Sequence, residues 1–500
     1  MAPFPCGTVA HGKRTYFIGN KGKKGRETSL SRIQNLIKSI FYPKCKDADP
    51  QELDTMPSMG SMYRTAFRIA WPATVEAVFV ALVSFIDTMM VSSLGTTAVA
   101  AVGLCNQPKF ICLAVIMSLN VGVTAIIARR IGEGDEEAAN RCLRESLTIC
   151  LILCLLTCGL SFLFARPFIL LAGAQEDTID MAVTYFRILL VGQFFQQLTL
   201  TINAAQRCVG NSKLSMRTNV TANVINIIFN YLLINGHFGF PAWGVAGAAF
   251  ATSLGNVVAF FMACRSLLGG RSVLQADFSK SWRPTWQTLQ GVWKVASSAL
   301  LENFCTRTGF FVYALIVANL GTLMFATHQI CMNICNILFS CFDGFSASAA
   351  ALVGQRLGAK RPGEAELYGK ICNIQAFSLS TLWAVLLIFF RGPMVRLFSE
   401  DAVVLGYGED ILLIVGLCTY VCAISVVYAG ALRGAGDTKF VALISFACVT
   451  ILRPVLAWVL CYPVGLGIYG PWIALAADMW IRGTGVILRY GKGCWKQIAL

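Results

Sequence analysis

Asp87 is the residue whose setting most demands a chemical explanation. It stands in VSFIDTMMV, deep in an apolar run. An ionised, unpaired carboxylate at the centre of a membrane helix costs about 2.5–3.5 kcal/mol on insertion scales, so such a group is neutral or turned toward a polar cavity. A carboxylate that binds and releases a proton or Na+ is what a cation-coupled transporter needs. The alternative is a helix–helix hydrogen bond with a purely structural purpose. Glu76 stands eleven residues earlier, about three helical turns or about 16 Å along an axis, which puts both acids on one face. Glu302 repeats the setting of Glu76 further along the chain. Both are candidates for cation coupling, with a structural role in bonding neighbouring helices as the alternative.

Asn219, Asn223, Asn226 and Asn230 follow at spacings of four, three and four and draw one polar stripe down a helix. Amides in such a helix bond across to other helices, for about 0.6–2 kcal/mol each. The other reading is that Asn226 and Asn230 complete a polar pocket with Asp87. Gln193, Gln196 and Gln197, with Asn203, are candidates to border that cavity. Phe85, Met89, Met90 and Phe229 are candidates for a pliable apolar substrate surface, against the commoner role of packing. Arg307 and Arg453 are intramembrane cations, each requiring a partner or a cavity.

The elements that must position these groups are apolar helices. Hydrophobic residues make up 56% of the chain and charged ones 13%, where a soluble domain carries about 25% charged residues. The apolar runs have the length of about 20 residues that crosses a bilayer. Twelve spans are expected, near 67–94, 98–127, 146–168, 182–204, 219–236, 244–268, 292–319, 323–352, 372–390, 410–431, 440–464 and 470–488. Helical periodicity and short loops exclude a β-barrel.

The chain is also written twice, with an offset of 226 residues. Glu76 matches Glu302, Gly95 matches Gly321, ARRIGEG (Arg130, Gly132) matches GQRLGAK (Arg356, Gly358), and Pro167 matches Pro393. QRCVGNSK (Arg207, Gly210, Lys213) matches LRGAGDTK (Arg433, Gly436, Lys439). Asp87, by contrast, maps onto Tyr313, which places a coupling acid in the first copy alone. Six spans per copy return the chain to the side it started from. Both copies then enter the membrane in the same direction, and the pseudo-two-fold axis lies along the membrane normal. The expected fold is an all-α membrane protein of two six-helix bundles flanking a cleft. Its parts are a basic tail (1–60), a first lobe (61–270), a linker (271–290) and a second lobe (291–500).

The net charge of +15 invites a nucleic-acid reading, but its placement describes topology. Lys and Arg gather after the even-numbered spans: Arg129, Arg130, Arg141 and Arg144; Arg207, Lys213 and Arg217; Arg356, Lys360 and Arg361. The opposite loops hold little beyond Arg166, Arg391 and Arg396. The positive-inside rule then puts both termini on the cytoplasmic side of a plasma (inner) membrane. The tail, with KGKKGR at 21–26, suits attraction to anionic lipid, and 33–41 reads as a short amphipathic surface helix. Nothing in it resembles a cleavable signal. The 20 cysteines fall mostly inside apolar runs, as small packing residues, so neither disulfides nor a metal are expected. No GxxxxGK[ST] loop is present, which argues against ATP as the direct energy source. No catalytic constellation points to an enzyme.

Together, PATVEAVFVALVSFIDTMMVSSLG (72–95), ARRIGEGDEEAA (128–139), NIIFNYLLI with GVAGAAFAT, ENFCTRTGFFVYALIVANLGT (302–322), GQRLGAKRPGEA and ALRGAGDTK make the chain resemble the MATE family, the multidrug and toxin extrusion transporters, and within it the bacterial DinF-like branch. The resemblance covers about 61–490. It implies two six-helix bundles around a V-shaped cleft, and antiport of H+ or Na+ against small organic, often cationic, drugs by a cofactor-free monomer. The family's first-helix acid falls on Asp87 and its fifth-helix NxxxD motif on Asn226 and position 230. Position 230 is Asn here, which removes a second titratable group. A lipid-linked oligosaccharide flippase or polysaccharide exporter of the same superfamily is the alternative. Such a protein lines its cleft with several Arg or Lys, and only Arg307 and Arg453 stand out for that.

Overall fold

The computed structural model describes residues 56–498 apart from 173–175, 177 and 270–272. The basic tail and the surface helix expected at 33–41 lie outside the described residues. Helix is the only regular secondary structure among them, and no strand occurs among the described residues. The first lobe consists of α1 (Met59–Ser92), α2 (Thr96–Glu133), α3 (Glu136–Leu163), the short α4 (Ala165–Leu171), α5 (Ile179–Cys208), α6 (Ser212–Ile234) and α7 (Gly244–Leu268). The second has α8 (Trp286–Ala318), α9 (Thr322–Gly358), α10 (Pro362–Phe389), the short α11 (Arg391–Arg396), α12 (Ala402–Ala435), α13 (Thr438–Ser445), α14 (Arg453–Cys461) and α15 (Tyr469–Lys492). A π-helical segment, Phe446–Leu452, joins α13 to α14.

Without the short α4 and α11, and with α13, the π segment and α14 as one span, there are twelve crossings, six per lobe. Ten of the described helices pass as spans on length and apolarity alone. Ser212–Ile234 and Tyr469–Lys492 fall short because they carry polar residues inward. Asn226 and Asn230 on α6 and Asp478 on α15 are all buried.

The duplicated glycines have local causes. Gly95 and Gly321 precede α2 and α9 with φ of 101° and 106°, and Gly210 and Gly436 follow α5 and α12 with φ of 80° and 90°. A side chain is strained in that left-handed region, so both copies keep glycine at the same turns.

Lipid tails are as apolar as leucine, so close packing rather than exclusion of water holds these helices together. Small residues set the approach. A Cβ on Gly255 of α7 would overlap the Ala222 carbonyl of α6, and one on Gly430 of α12 would overlap Ser346 of α9. Cys150, Cys154 and Cys158 are buried in the first lobe, and Cys331, Cys335 and Cys422 in the second.

The lobes meet through α1 and α2 on one side and α8 and α9 on the other. The polar contacts across this junction include Thr74 Oγ1 to the Cys341 carbonyl (3.3 Å), Ser348 Oγ to the Ala66 carbonyl (3.4 Å), Asn303 Nδ2 to Ser118 Oγ (3.0 Å), Gln375 Nε2 to the Tyr63 carbonyl (2.9 Å) and the Gln355 amide to the Cys208 carbonyl. The two glycines of the ARRIGEG and GQRLGAK repeats answer each other here. A Cβ on Gly132 would overlap the Gln355 carbonyl, and one on Gly358 the Arg129 carbonyl. These residues lie in the first halves of α1 and α10, near the middle of α8, or in the later parts of α2, α5 and α9. The junction is therefore concentrated at the end that carries Arg129, Arg130 and Arg356.

The connection between the lobes is tied down to α3. Asn140 bonds the Val273 carbonyl and the Gln275 amide, Thr148 Oγ1 donates to the Trp282 carbonyl (2.9 Å), and Lys280 pairs with Glu137 at 2.6 Å.

Candidate functional site

Helices α1 and α6 run parallel, so residues that face each other keep one separation in the chain. Asn219 Nδ2 donates to Glu76 Oε1 at 2.5 Å and Asn230 Nδ2 donates to Asp87 Oδ1 at 2.8 Å, both across 143 residues. The duplicated pair Ser445 and Glu302 is also separated by 143 residues, with the hydroxyl 3.3 Å from Oε1. The asparagine stripe is thus the surface on which the acids of α1 dock. Asn223 is the exception, bonding the Asn219 carbonyl on its own helix.

At the Asp87 end, Asn226 is the second partner. With its nitrogen toward α1 it donates to Asp87 Oδ1 (2.7 Å) and Oδ2 (3.2 Å), while its oxygen faces the Thr252 amide and hydroxyl on α7 (3.2 and 2.9 Å). That orientation suits an ionised carboxylate, which only accepts. Lys109 on α2 acts on Asp87 electrostatically. Asp87, Asn226, Asn230 and Thr252 thus form one carboxylate–amide–hydroxyl cluster of hard oxygen donors in the first lobe.

The two glutamates occupy equivalent but different surroundings. Glu76 also accepts from Ser215 Oγ (3.1 Å), and Arg207 stands 3.5 Å away. Glu302 receives two bonds from Arg433, at 2.5 Å to Nη2 and 3.3 Å to Nε. Arg207 and Arg433, which read in the sequence as topological charges, are therefore also the partners of the duplicated acids.

The second lobe departs from the first where Asp87 would be. Tyr313 stands there, buried and packed with Ala457 and Leu456, the latter in place of Asn230. His328 and Tyr313 meet edge to face at 5.4 Å, and Trp472 lies 5.3 Å from the same imidazole. Deeper in this lobe the fully buried Arg453 pairs with Asp478, which also has Arg482 at 3.8 Å. The Arg453 guanidinium lies over the Phe310 ring at 4.7 Å. The partner of Arg307 is an aromatic face in the other lobe, the Phe110 ring at 4.5 Å. A cavity of about 330 Å³ opens beside these groups, lined by Glu302, Asp343, Arg433, Arg453 and Arg482 among others.

The remaining candidates separate. Gln193 is buried and ties α5 to α2 through the Lys109 carbonyl at 2.9 Å, and Asn203 ties α5 to α6 through Thr218 (3.2 Å). Neither touches Asp87. Gln196 is half-buried on α5 and Phe229 half-buried on α6. Met90 packs with Val91, Ile234 and Val245, whereas Met89 is exposed. The side chain of Phe85 lies outside the described residues. Thr252, Lys109, Asp343, Asp478 and Arg482 are functional candidates that sequence reading missed. The three charged residues of the second lobe were detectable as intramembrane charges, but a single Thr in GVAGAAFAT carries no signal by itself.

Comparison with known proteins bears on this arrangement directly. A sequence model described as MatE matches residues 72–232 and again 298–459, so the family's own pattern recurs at the duplication offset and covers more than half of the chain. A probable multidrug resistance protein NorM of Thermotoga maritima is 27% identical over 446 residues, spanning 87% of this chain and 93% of that protein. An uncharacterised transporter, YisQ, of Bacillus subtilis is 23% identical, spanning 86% and 94%. A solved structure described as an outward-facing conformation of a multidrug resistance MATE family transporter superposes with a TM-score of 0.81 at 20% identity, covering 88% of this chain and 97% of that one. The likeness in structure shows the fold, and the doubled match shows the family: the chain belongs to the MatE family of membrane transporters.

Proposed function

We propose that the chain is a secondary-active efflux transporter that exchanges H+ or Na+ for small organic, often cationic, drugs, with Asp87 as the coupling group. The observation that carries this reading is the cluster of Asp87, Asn226, Asn230 and Thr252. It holds one titratable carboxylate, bonded by amides that do not themselves titrate. The multidrug resistance named in the NorM relative supports the substrate class. With the positively charged ends in the cytoplasm of a plasma membrane, the lobes are joined at the cytoplasmic end, and the cleft opens outward. In that state Asp87 takes a cation from outside. Rearrangement of the lobes exposes it to the cytoplasm, where the cation leaves and drug binds. Each ligand weakens the other through one reciprocal coupling free energy. Asn219, Ser215 and Arg207 hold Glu76, and Arg433 and Ser445 hold Glu302, so these two glutamates keep helices in place rather than exchange ions.

The test is efflux from vesicles under an imposed pH or Na+ gradient. Asp87→Asn should abolish gradient-driven efflux while leaving a folded, drug-binding protein. Asn230→Asp, which adds a second carboxyl, should retain transport with a changed pH profile. Normal efflux by Asp87→Asn, with an unaltered response to both gradients, would remove Asp87 from the mechanism.

A further inference from the structure

Asp87 and Lys109 belong to the first copy of the repeat alone. At the 226-residue offset Asp87 becomes Tyr313 and Lys109 becomes Cys335, while Glu76, Gly95 and Gly132 are all kept. The acid and the lysine are therefore present together in one lobe and absent together from the other. Tyr313 and Cys335 stand in electrostatic range of each other, as Asp87 and Lys109 do. The two positions are neighbours in both lobes and charged in one. Asp87 lies five residues before Ser92, the end of α1, and Lys109 thirteen after Thr96, the start of α2. Side chains on a helix lean toward its N-terminus, which for α2 is the turn that Asp87 closely precedes. The backbone at Lys109 is pinned to α5, because the buried Gln193 donates to its carbonyl at 2.9 Å. Lys109 itself is half-buried, and its ammonium has no hydrogen-bond or ion-pair partner among the described residues. A cation inside a membrane helix calls for an opposite charge or a polar cavity, and the carboxylate that acts on Lys109 is Asp87. Cys105 of α2 and Tyr185 of α5 also act on this pair, and both are uncharged near neutral pH. Helices α6 and α7 supply only amides and a hydroxyl. Of the other helices packed on α1 and α2, α8 turns Arg307 onto the Phe110 ring, and α9 keeps Asp343 in range of Arg433 and Arg356 on Glu364.

We propose that Lys109 is the resident counter-ion of Asp87, a tethered ammonium that neutralises the carboxylate when the coupling cation has left and that the next cation must displace. Lys109 acts through Asp87 and sets the affinity of that site. The assignment rests on the coupling role given to Asp87 above and deepens it. An ammonium in range lowers the affinity of a carboxylate for any further cation. The site can then release its cation without leaving a bare charge inside the membrane. The second lobe, with Tyr313 and Cys335 in these places, has neither the acid nor a need for the lysine.

The experiment reads the proton on Asp87 directly. Dicyclohexylcarbodiimide adds to a protonated carboxyl in an apolar site and not to an ionised one. The purified full-length protein in detergent is exposed briefly to this reagent at a series of pH values. Peptide mass spectrometry then gives the pH at which Asp87 is half-labelled. In Lys109→Gln that pH should rise by about one unit, a tenfold gain in proton affinity. Lys109→Arg keeps the charge and should match the unaltered protein. Glu302, in the other lobe, should keep one labelling profile in all three proteins, which excludes a general disturbance of the fold. An unchanged or lowered half-labelling pH in Lys109→Gln, an equal rise in Lys109→Arg, or the absence of pH-dependent labelling at Asp87 overturns the assignment. The readout needs neither drug nor gradient. An unshifted Asp87 in Lys109→Gln, with efflux still abolished by Asp87→Asn, removes the counter-ion and leaves the antiport reading standing. The shift together with normal efflux by Asp87→Asn does the reverse.

Discussion

At the residue scale, the molecule treats its intramembrane carboxylates in two ways. Asp87 is held by uncharged amides, whereas Glu302 is held by a guanidinium through two bonds. An acid clamped by a permanent cation is a poor reversible ion site, because the incoming ion must displace a charge already in place. The expectation is that Glu302→Gln keeps much of the transport, within about threefold of normal, because the amide retains size and hydrogen bonds. Arg433→Leu should behave differently. It leaves a buried carboxylate without its partner, at a cost toward the lower end of about 3–5 kcal/mol given the partial exposure of the arginine. Thermal unfolding in detergent separates the two, with a lowered midpoint for Arg433→Leu and a near-normal one for Glu302→Gln. A folded Glu302→Gln protein that binds drug but has lost gradient dependence would instead make Glu302 a coupling residue.

At the element scale, the reciprocal approach of α2 and α9 joins the lobes. The glycines at 132 and 358 each face the other helix's backbone, and neither position leaves room for a Cβ. Gly132→Ala and Gly358→Ala should therefore push the ends that carry Arg129 and Arg356 apart and, in the transport cycle proposed above, shift the population away from the outward-open state. Gly103→Ala, in the outer part of α2 where a Cβ meets nothing within 4 Å, is the control. The measurement is labelling, by a reagent supplied from the side of Arg129 and Arg356, of a cysteine introduced at Ser118, a junction residue whose bond to Asn303 is lost equally in all three variants. Faster labelling in the two junction variants and an unchanged rate in the control are expected; equal rates in all three would mean that the glycines do not set the closed end. The second lobe adds an irregular element with no counterpart in the first, the π turn before Arg453. Pro454 has no N–H to continue the helical ladder, and π turns of this kind often sit at functional sites. Here the turn comes just before the arginine that lines the cavity.

At the scale of the whole molecule, topology follows from where the cations sit. Arg129, Arg130, Arg356 and Arg361 gather at one end of the bundles, and Arg166 at the other. A cysteine introduced at Glu176, an exposed position after α4, should react with an impermeant reagent in intact cells. Protection there, with labelling only after permeabilisation, would reverse the assigned orientation and with it the direction in which the cleft opens.

The twelve spans and the two-lobe duplication were legible in the chain because the bilayer imposes a length and an apolarity that a linear sequence displays directly. The same constraint made Asp87 conspicuous, since an acid in lipid has few reasons to exist, and it placed Asn226 and Asn230 on one face of one helix. Partner choice was not legible. Arg207 and Arg433 lie in the last turns of α5 and α12, where a cation reads as topology, and only the packing of α1 on α6 and α8 on α13, the helices that follow those ends, brings Glu76 and Glu302 to them. Thr252 enters the Asp87 cluster through the crossing of α6 and α7, and Arg453 finds Asp478 on a helix too polar to pass as a span by composition. Local pattern determines which segments cross the membrane and which polar residues they carry. Which of those residues meet depends on helix rotation and crossing, and those are decided by small side chains packing across tertiary interfaces.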